Sequence, residues 1–154
     1  MKPLLNRAVL LLGSNIAPRQ NLPAIQQTLR QRYHIVNTSD TYETLPVGGE
    51  GSNYLNLAVE IDCSDNLMSL RANLKMIEVQ LGRVRTSDKN APRTADIDVI
   101  LFNGNIVDKK LLEQAFIAVP VAQISPDLPV PSADKNLASL SIRLASDIWI
   151  QKVG

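Results

Sequence analysis

The stretch from residue 81 to residue 102, LGRVRTSDKNAPRTADIDVILF, constrains the fold of this chain more than any other. A helix should stop at Gly82, a loop rich in basic residues should follow, and the apolar run after residue 95 predicts a strand. Successive side chains of a strand point to opposite faces, so Asp96 and Asp98 should share one face. The stretch therefore predicts a helix, a basic loop and a strand that carries two carboxylates on one side.

The side chains of this stretch suit a divalent metal and a ligand that bears phosphates. Two hard oxygen ligands on one strand suit Mg²⁺, which takes few protein carboxylates and completes its shell with water and phosphate oxygens. The cations that precede them are Arg83, Arg85, Lys89 and Arg93. The pattern indicates metal-assisted phosphoryl transfer, although a charged loop before a half-exposed strand is also common as a plain solvated turn.

The composition is that of an ordinary globular chain. With 154 residues, of which 45% are hydrophobic and 20% charged, we expect one domain over residues 1–154. A net charge of +1 gives no general attraction to nucleic acid or membranes, and we expect neither as a partner. The single cysteine, Cys63, fits a reducing compartment, and the apolar run near residue 10 is too short for a signal peptide. We therefore expect a cytoplasmic protein, and a monomer.

Hydrophobic periodicity predicts the order strand, helix, strand, strand, helix, strand. The predicted strands are residues 8–12, 35–43, 54–62 and 96–102. A first helix should start late, because Pro23 belongs in a first turn. The second helix should be capped by Ser64 or Asp65. This order is typical of a ferredoxin-like α+β fold, in which helices pack on one face of an antiparallel sheet and the other face is left for a ligand.

The last third of the chain predicts shorter elements. Asn103 and Gly104 should turn a hairpin into a short strand at residues 106–107. Four prolines between residues 120 and 131 should limit helices to short pieces. A final amphipathic helix is predicted at residues 136–145 and a returning strand at 147–152.

Two more polar side chains should lie on the ligand face. Strand 54–62 places Tyr54 and Asn56 opposite its apolar face, beside a glycine-rich loop at residues 44–53 that could act as a lid. Together with Asp96 and Asp98 they could line one site. Each is also compatible with an ordinary half-buried position at a strand end.

These motifs resemble, in order and spacing, those of the 6-hydroxymethyl-7,8-dihydropterin pyrophosphokinase family over nearly the whole chain. The matching residues are Leu12-Gly13-Ser14-Asn15, Thr44, Pro46, Gly48, Tyr54-Leu55-Asn56, Glu78, Gly82-Arg83-Val84-Arg85, Pro92-Arg93-Thr94, Asp96-Ile97-Asp98, Pro126-Asp127-Leu128 and Pro131. The resemblance implies a three-layer α/β/α fold with the sheet between helices. It also implies that ATP gives its β,γ-pyrophosphoryl group to the pterin hydroxymethyl group, leaving AMP.

The resemblance assigns roles to individual residues. Asp96 and Asp98 would hold two Mg²⁺ ions that bridge ATP and the attacking hydroxyl. Arg83 and Arg93 would bind phosphates, Arg85 would line the catalytic loop, and Glu78 would help to seat ATP. On the pterin side, Asn56 would hydrogen-bond the heterocycle, Tyr54 and Phe116 would stack on its faces, and Thr44 and Pro46 would belong to the adjoining loop.

The sequence also departs from the family pattern. Asn90 and Ala91 replace a Trp and a Gly, and the segment between the hairpin and Phe116 is short and lacks a histidine. Gln114 stands where the family has an arginine, and such an arginine can be worth roughly 10³ to 10⁵ in rate. Either Lys109 or Lys110 replaces it, or the enzyme is slow, or the chain is a paralogue that binds pterin or nucleotide without efficient transfer.

Two further classes compete less well. A nucleotidyltransferase pairs a Gly-Ser turn with an Asp-x-Asp strand at short spacing, whereas Ser14 and Asp96 are more than eighty residues apart. An RNA-binding ferredoxin-like module should present several aromatic residues on a basic sheet, and here Tyr54 is the sole candidate.

Overall fold

The computed structural model describes residues 4–82 and 93–153, which form a seven-stranded sheet between two layers of helices. The strands are β1 (Asn6–Ser14), β2 (His34–Thr38), β3 (Thr41–Thr44), β4 (Tyr54–Cys63), β5 (Asp96–Phe102), β6 (Asn105–Ile106) and β7 (Ile150–Val153). The helices are α1 (Pro18–Arg32), α2 (Leu67–Gln80), α3 (Ala115–Ile124) and α4 (Leu137–Ala145), with a 3₁₀ turn at Lys109–Leu112.

The sheet confirms the ferredoxin-like prediction. Its order is β6-β5-β1-β4-β3-β7, β2 pairs with another part of β4, and every pairing is antiparallel. The central order β5-β1-β4-β3 is that of a strand-helix-strand-strand-helix-strand unit in which each helix connects two strands separated by a third. Strand β1 is therefore central, with β4 on one side and β5 on the other.

Both faces of the sheet are buried, as the three-layer expectation requires. Leu10 and Leu12 of β1 pack with helices α1 and α2, while Val9 and Leu11 pack with α3 and α4. Each such side chain contributes about 1.5–3 kcal/mol when it is removed from water. The second face, which the strand pattern alone left for a ligand, is thus covered over part of its length. The end near Gly13, where β1 lies between Asn56 of β4 and Asp96 of β5, contributes to the site instead.

The predicted late start of the first helix is wrong. Helix α1 begins at Pro18, and Pro23 lies inside it. Proline in a helix removes one hydrogen bond and crowds the preceding turn. The buried stripe of this helix offsets that loss, because Leu22, Ile25 and Leu29 are at most 3% exposed.

The predicted cap of the second helix is also wrong. Asn66, rather than Ser64 or Asp65, caps α2, since its Oδ1 accepts a hydrogen bond from the Ser69 N–H at 2.9 Å. Asn and Asp cap about equally well, so local preference could not choose between neighbouring positions.

The single strand predicted at residues 35–43 is broken into β2 and β3. At the break, the Ser39 N–H donates to the Ala58 carbonyl and the Ser39 Oγ accepts from the Ala58 N–H, at 2.9 and 2.8 Å. The next N–H, of Asp40, donates to the side chain of Gln123 on α3. A serine hydroxyl thus replaces one backbone acceptor of the ladder.

The last third of the chain mostly follows the prediction. Asn103 and Gly104 have φ of 51° and 80°, as a two-residue hairpin turn requires, and β6 pairs with β5. Helix α4 and strand β7 lie close to their predicted positions. Helix α3 was not predicted, because it is apolar on most sides and contains Pro120. Among the described helices, none is long and apolar enough to cross a membrane.

Candidate active site

Two cavities meet at the end of β5. The first, the α2 cavity, has a volume of about 280 Å³. It is lined by Arg71, Leu74, Lys75, Glu78, Arg93, Asp96, Ile97, Asp98, Val99, Val107 and Asp108. The second, the α3 cavity, has a volume of about 350 Å³. It is lined by Thr44, Leu45, Pro46, Val47, Tyr54, Asn56, Arg93, Asp96, Asp98, Asp108, Lys110, Gln114, Phe116 and Ile117. Both cavities share Arg93, Asp96, Asp98 and Asp108, so two ligands bound side by side would meet at these charges.

The two aspartates share one face of β5, as the alternation predicts. Gly13 and Leu11 of β1 are their paired residues, and Ile97 between them is buried. Asp98 is exposed at the surface, but the surrounding protein reduces the hydration of its carboxylate. This loss of hydration, followed by repulsion from Asp96, raises the pKa of Asp98 to about 7. A cation bound between these carboxylates would relieve the repulsion.

Further charges act on the same carboxylate. Glu78 and Asp108 raise the pKa of Asp98 as well, after the two larger causes, whereas Lys110 lowers it. In the part of the chain that the structure describes, no three His, Cys, Asp or Glu side chains form a complete metal site. A pair of carboxylates with an otherwise open shell is what Mg²⁺ uses beside phosphates.

Arg93 is held at the junction of the cavities by its side chain and its backbone. Its Nη1 donates to Asp96 Oδ2 at 3.0 Å. Its N–H donates to Asn15 Oδ1 at 2.7 Å, and its carbonyl accepts from the Asn15 N–H at 3.0 Å. The Ser14 hydroxyl also approaches this carbonyl, at 3.3 Å. The end of β1 therefore fixes the segment that leads into β5.

Asn15 makes a second long-range contact. Its Nδ2 donates to the carbonyl of Ser52, in the glycine-rich loop, at 3.3 Å. One amide thus connects the loop beside the α3 cavity with the Arg93 segment beside both cavities. Asn15 belongs to one of the matching family motifs, but no role was predicted for its side chain.

Gly13 forms the floor between Asn56 and Asp96. A Cβ at this position would lie 2.7 Å from Asn56 Oδ1 and 3.6 Å from Tyr54 Cδ1. The first distance is closer than a Cβ approaches an oxygen in a relaxed structure. The Asn56 amide can therefore lie over β1 only because residue 13 has no side chain.

The residues predicted to bind the substrate lie together. Thr44, Pro46, Tyr54, Asn56 and Phe116 all line the α3 cavity. Asn56 is 3% exposed, and its Nδ2 donates to the Thr44 hydroxyl at 2.8 Å, which orients the amide. Phe116, at the start of α3, borders the cavity. The structure brings these side chains to one place, and their contact with a substrate stays a prediction.

Glu78 is buried although it carries a carboxylate. It is 2% exposed, and its Oε2 accepts from the Ile97 N–H at 2.7 Å, so it joins α2 to β5. It also lines the α2 cavity, together with Lys75, one turn before it, and Arg71, two turns before it. At this spacing the three side chains form a polar stripe along α2, which could have indicated a ligand-binding face from the sequence.

Several predicted positions lie outside the described residues, namely Arg83, Arg85, Lys89, Asn90 and Ala91. The two lysines considered as replacements for an arginine do lie within them. Lys110 lines the α3 cavity with Gln114, whereas Lys109 borders neither of the two cavities. Asp108, for which no role was predicted, lines both cavities.

This architecture defines an α+β protein of ferredoxin-like topology whose two adjacent cavities share three carboxylates. The profile described as 7,8-dihydro-6-hydroxymethylpterin-pyrophosphokinase (HPPK) matches residues 9–126, and the chain belongs to that family.

Its relatives agree. A 2-amino-4-hydroxy-6-hydroxymethyldihydropteridine pyrophosphokinase of Bacillus subtilis (strain 168) is 35% identical over 97% of this chain and 93% of its own length. The protein of the same name from Haemophilus influenzae is 30% identical over 82% of this chain and 86% of its own length. Among solved structures, Plasmodium falciparum HPPK-DHPS superposes with a TM-score of 0.75 at 13% identity, over 94% of this chain and 46% of that longer one. This last likeness confirms the fold.

Proposed function

We propose that the protein is an ATP-dependent pyrophosphokinase of folate biosynthesis. It transfers the β,γ-pyrophosphoryl group of ATP to the hydroxymethyl group of 6-hydroxymethyl-7,8-dihydropterin and releases AMP. The observation that carries this proposal is that the α2 and α3 cavities share Asp96 and Asp98. Group transfer between two bound substrates needs their reacting ends to meet at one charged point, and simple binding of one ligand does not.

The α3 cavity suits the pterin. A flat heterocycle gains dispersion and stacking energy beside Tyr54 and Phe116. Asn56 can read its edge, because Thr44 holds the amide in one orientation. A cavity of about 350 Å³ that combines two aromatic side chains with polar and charged groups fits a small ring system with hydrogen-bonding edges.

The α2 cavity suits ATP. Arg71 and Lys75 on its rim can bind phosphates, and Glu78 lies deeper within it. Arg93 lies between the two cavities, so its guanidinium can reach the phosphate that is transferred. On the basis of the sequence resemblance, we assign Arg83 to the same phosphate-binding set and Arg85 to the catalytic loop.

The transfer itself demands positioning more than covalent chemistry. The hydroxymethyl oxygen forms a bond to the β phosphorus while the bond from that phosphorus to the oxygen of the α phosphate breaks. The electron pair of the broken bond leaves with AMP, and the hydroxyl proton passes to water. Asn56 and the aromatic pair orient the acceptor, and Arg93, anchored by Asn15, orients the donor.

Asp96 and Asp98 would hold Mg²⁺, and we propose two ions. The fit is chemical, since two hard carboxylates on one rigid strand open on both cavities. Bound Mg²⁺ would neutralise the phosphate charge that develops during transfer. We further propose that the protein is a single-domain, cytoplasmic monomer that binds small molecules only.

The test is an assay for AMP. The full-length chain is incubated with ATP, the pterin and Mg²⁺, and nucleotides are separated by chromatography. AMP should form only when all three are present. Asp98→Asn should abolish it, while Glu113→Gln, a matched change on an exposed carboxylate outside both cavities, should leave it intact.

Formation of ADP instead of AMP would refute pyrophosphoryl transfer. Binding of both substrates without formation of AMP would refute the transfer activity and support the alternative that the chain is a paralogue that only binds its ligands. The named activity of relatives at 30–35% identity favours transfer.

A further inference from the structure

The α3 cavity contains a cation to which the proposed function gives no role. Lys110 lies in the 3₁₀ turn Lys109–Leu112, which connects the hairpin to α3. Leu111 is 0% exposed and anchors this turn in the core below α3. Asp108 Oδ1 accepts from the Lys110 N–H at 3.0 Å and caps the start of this turn. The turn therefore presents Asp108 and Lys110 to the cavity, while Lys109 borders neither cavity.

Most of the charged side chains that the two cavities share are negative, so a basic side chain nearby would help to hold a phosphate group there. Carboxylates of Asp96, Asp98 and Asp108 lie there, and Arg93 is paired with Asp96 at 3.0 Å. Among the described residues that line the α3 cavity, Arg93 and Lys110 are the basic ones. Lys110 lines the same cavity as Asp98 and Asp108. A phosphate bound beside these carboxylates in the α3 cavity would therefore lie within reach of the flexible Lys110 side chain.

The Lys110 side chain is also available. It is exposed, and in the described part of the chain no carboxylate lies within ion-pair distance of its ammonium. Gln114, on the same wall of the cavity, is uncharged and can offer a phosphate only amide hydrogen bonds. A lysine has a flexible stem and a compact charge that can follow a moving phosphate.

We propose that Lys110 binds the pyrophosphoryl group as it moves from ATP to the pterin, and that it stabilises the charge of this group during transfer. This inference rests on the proposed function, and the bonds made and broken are those given above. Lys110 changes none of them. Because a lysine cannot grip phosphate through two parallel hydrogen bonds, the contribution should be that of one charge–charge contact.

The experiment compares Lys110→Ala, Lys110→Arg and the neighbouring control Lys109→Ala in the full-length chain. Steady-state assays give kcat and the KM for each substrate, and thermal unfolding gives Tm. Lys110→Ala should lower kcat at least tenfold with an unchanged KM for the pterin. Lys110→Arg should retain most of the activity, and Lys109→Ala should resemble the parent. A purely structural role would lower Tm and affect Lys110→Arg as well.

A binding measurement separates this inference from the proposed function. Calorimetry compares the affinity of the parent and Lys110→Ala for the pterin diphosphate product and for the unphosphorylated pterin. Lys110→Ala should weaken the first by at least tenfold and leave the second unchanged. A parent that makes no AMP would refute the proposed function, while the product affinity would still test Lys110. Equal product affinity and equal kcat in parent and Lys110→Ala would overturn the Lys110 assignment.

Discussion

Replacement of Gly13 by alanine tests the geometry of the site most directly. The new Cβ would lie 2.7 Å from Asn56 Oδ1, and this oxygen cannot simply move away. Asn56 is 3% exposed and its Nδ2 is bonded to Thr44 at 2.8 Å. The amide must therefore break that bond or push β4 away from β1. Tyr54 Cδ1, at 3.6 Å, is in ordinary contact and adds no strain.

The magnitude follows from these two routes. Overpacking of a filled site costs about 1–3 kcal/mol, and an unpaired buried amide costs a similar amount. Alanine in a strand regains about 0.5–1 kcal/mol relative to glycine, because glycine loses more conformational freedom on folding. Gly13→Ala should thus destabilise the fold by about 0.5–2 kcal/mol. It should also weaken pterin binding more than ATP binding, because Asn56 lines only the α3 cavity.

A double-mutant cycle with Asn56→Ala isolates the contact. Free energies of unfolding are measured in urea for the parent, both single variants and the double variant. Without the Asn56 amide, alanine at position 13 has no clash partner and should be neutral or slightly stabilising. The coupling energy between the two changes should be about 1–3 kcal/mol. If Gly13→Ala has the same effect in both backgrounds, the close approach of residue 13 to Asn56 is not its cause.

Three further predictions concern the charges and walls of the site. The pKa of Asp98 is about 7 in the folded state and roughly 4 in the unfolded state. Without metal, the free energy of unfolding therefore falls as the pH rises from roughly 4 toward 7, because the unfolded chain releases this proton first. In the presence of a chelator, the Tm of Asp98→Asn should therefore exceed that of the parent between these pH values. A difference in Tm that does not grow with pH would contradict the raised pKa of Asp98 as its cause. Asn15→Ala should lower kcat, because it removes the hydrogen bonds to Arg93 and Ser52. Asn15→Asp keeps the acceptor for the Arg93 N–H and should lower kcat less. Equal losses of kcat would show that this hydrogen bond is not the cause. Phe116→Leu should raise the KM for the pterin and leave that for ATP unchanged, as measured by initial rates, and a matching rise for ATP would exclude a stacking role.

Local pattern predicted what depends on local geometry. The period of two in a strand put Asp96 and Asp98 on one face without any knowledge of neighbouring strands. The hairpin was predicted from Asn103 and Gly104, because both residue types tolerate the positive φ values that a two-residue turn requires. Each of these features is decided within a few residues, so the sequence around them was sufficient.

Other features depend on partners far away in the chain. Pro23 is tolerated within α1 because the helix buries its apolar stripe against the sheet, which no local rule weighs. The break between β2 and β3 requires Gln123 and Ala58 as partners of residues 39 and 40. Lys109 and Lys110 are adjacent residues of the same type, and only the folded turn, with Leu111 buried, distinguishes Lys110 at the α3 cavity from Lys109, which borders neither of the two cavities.

The end of β1 shows how three consecutive residues organise both cavities. Gly13 leaves room for the amide of Asn56, Ser14 approaches the carbonyl of Arg93, and Asn15 joins Arg93 to Ser52. The Arg93 partner is 78 residues from Asn15 in the chain, and Ser52 is 37 residues away. Because β1 is the central strand, its end is the one place from which a single turn can reach the glycine-rich loop on one side and the start of β5 on the other. A change at Asn15 should therefore disturb the α3 cavity and the phosphate junction together, whereas a change at Phe116 or Lys110 should disturb one function of the site alone.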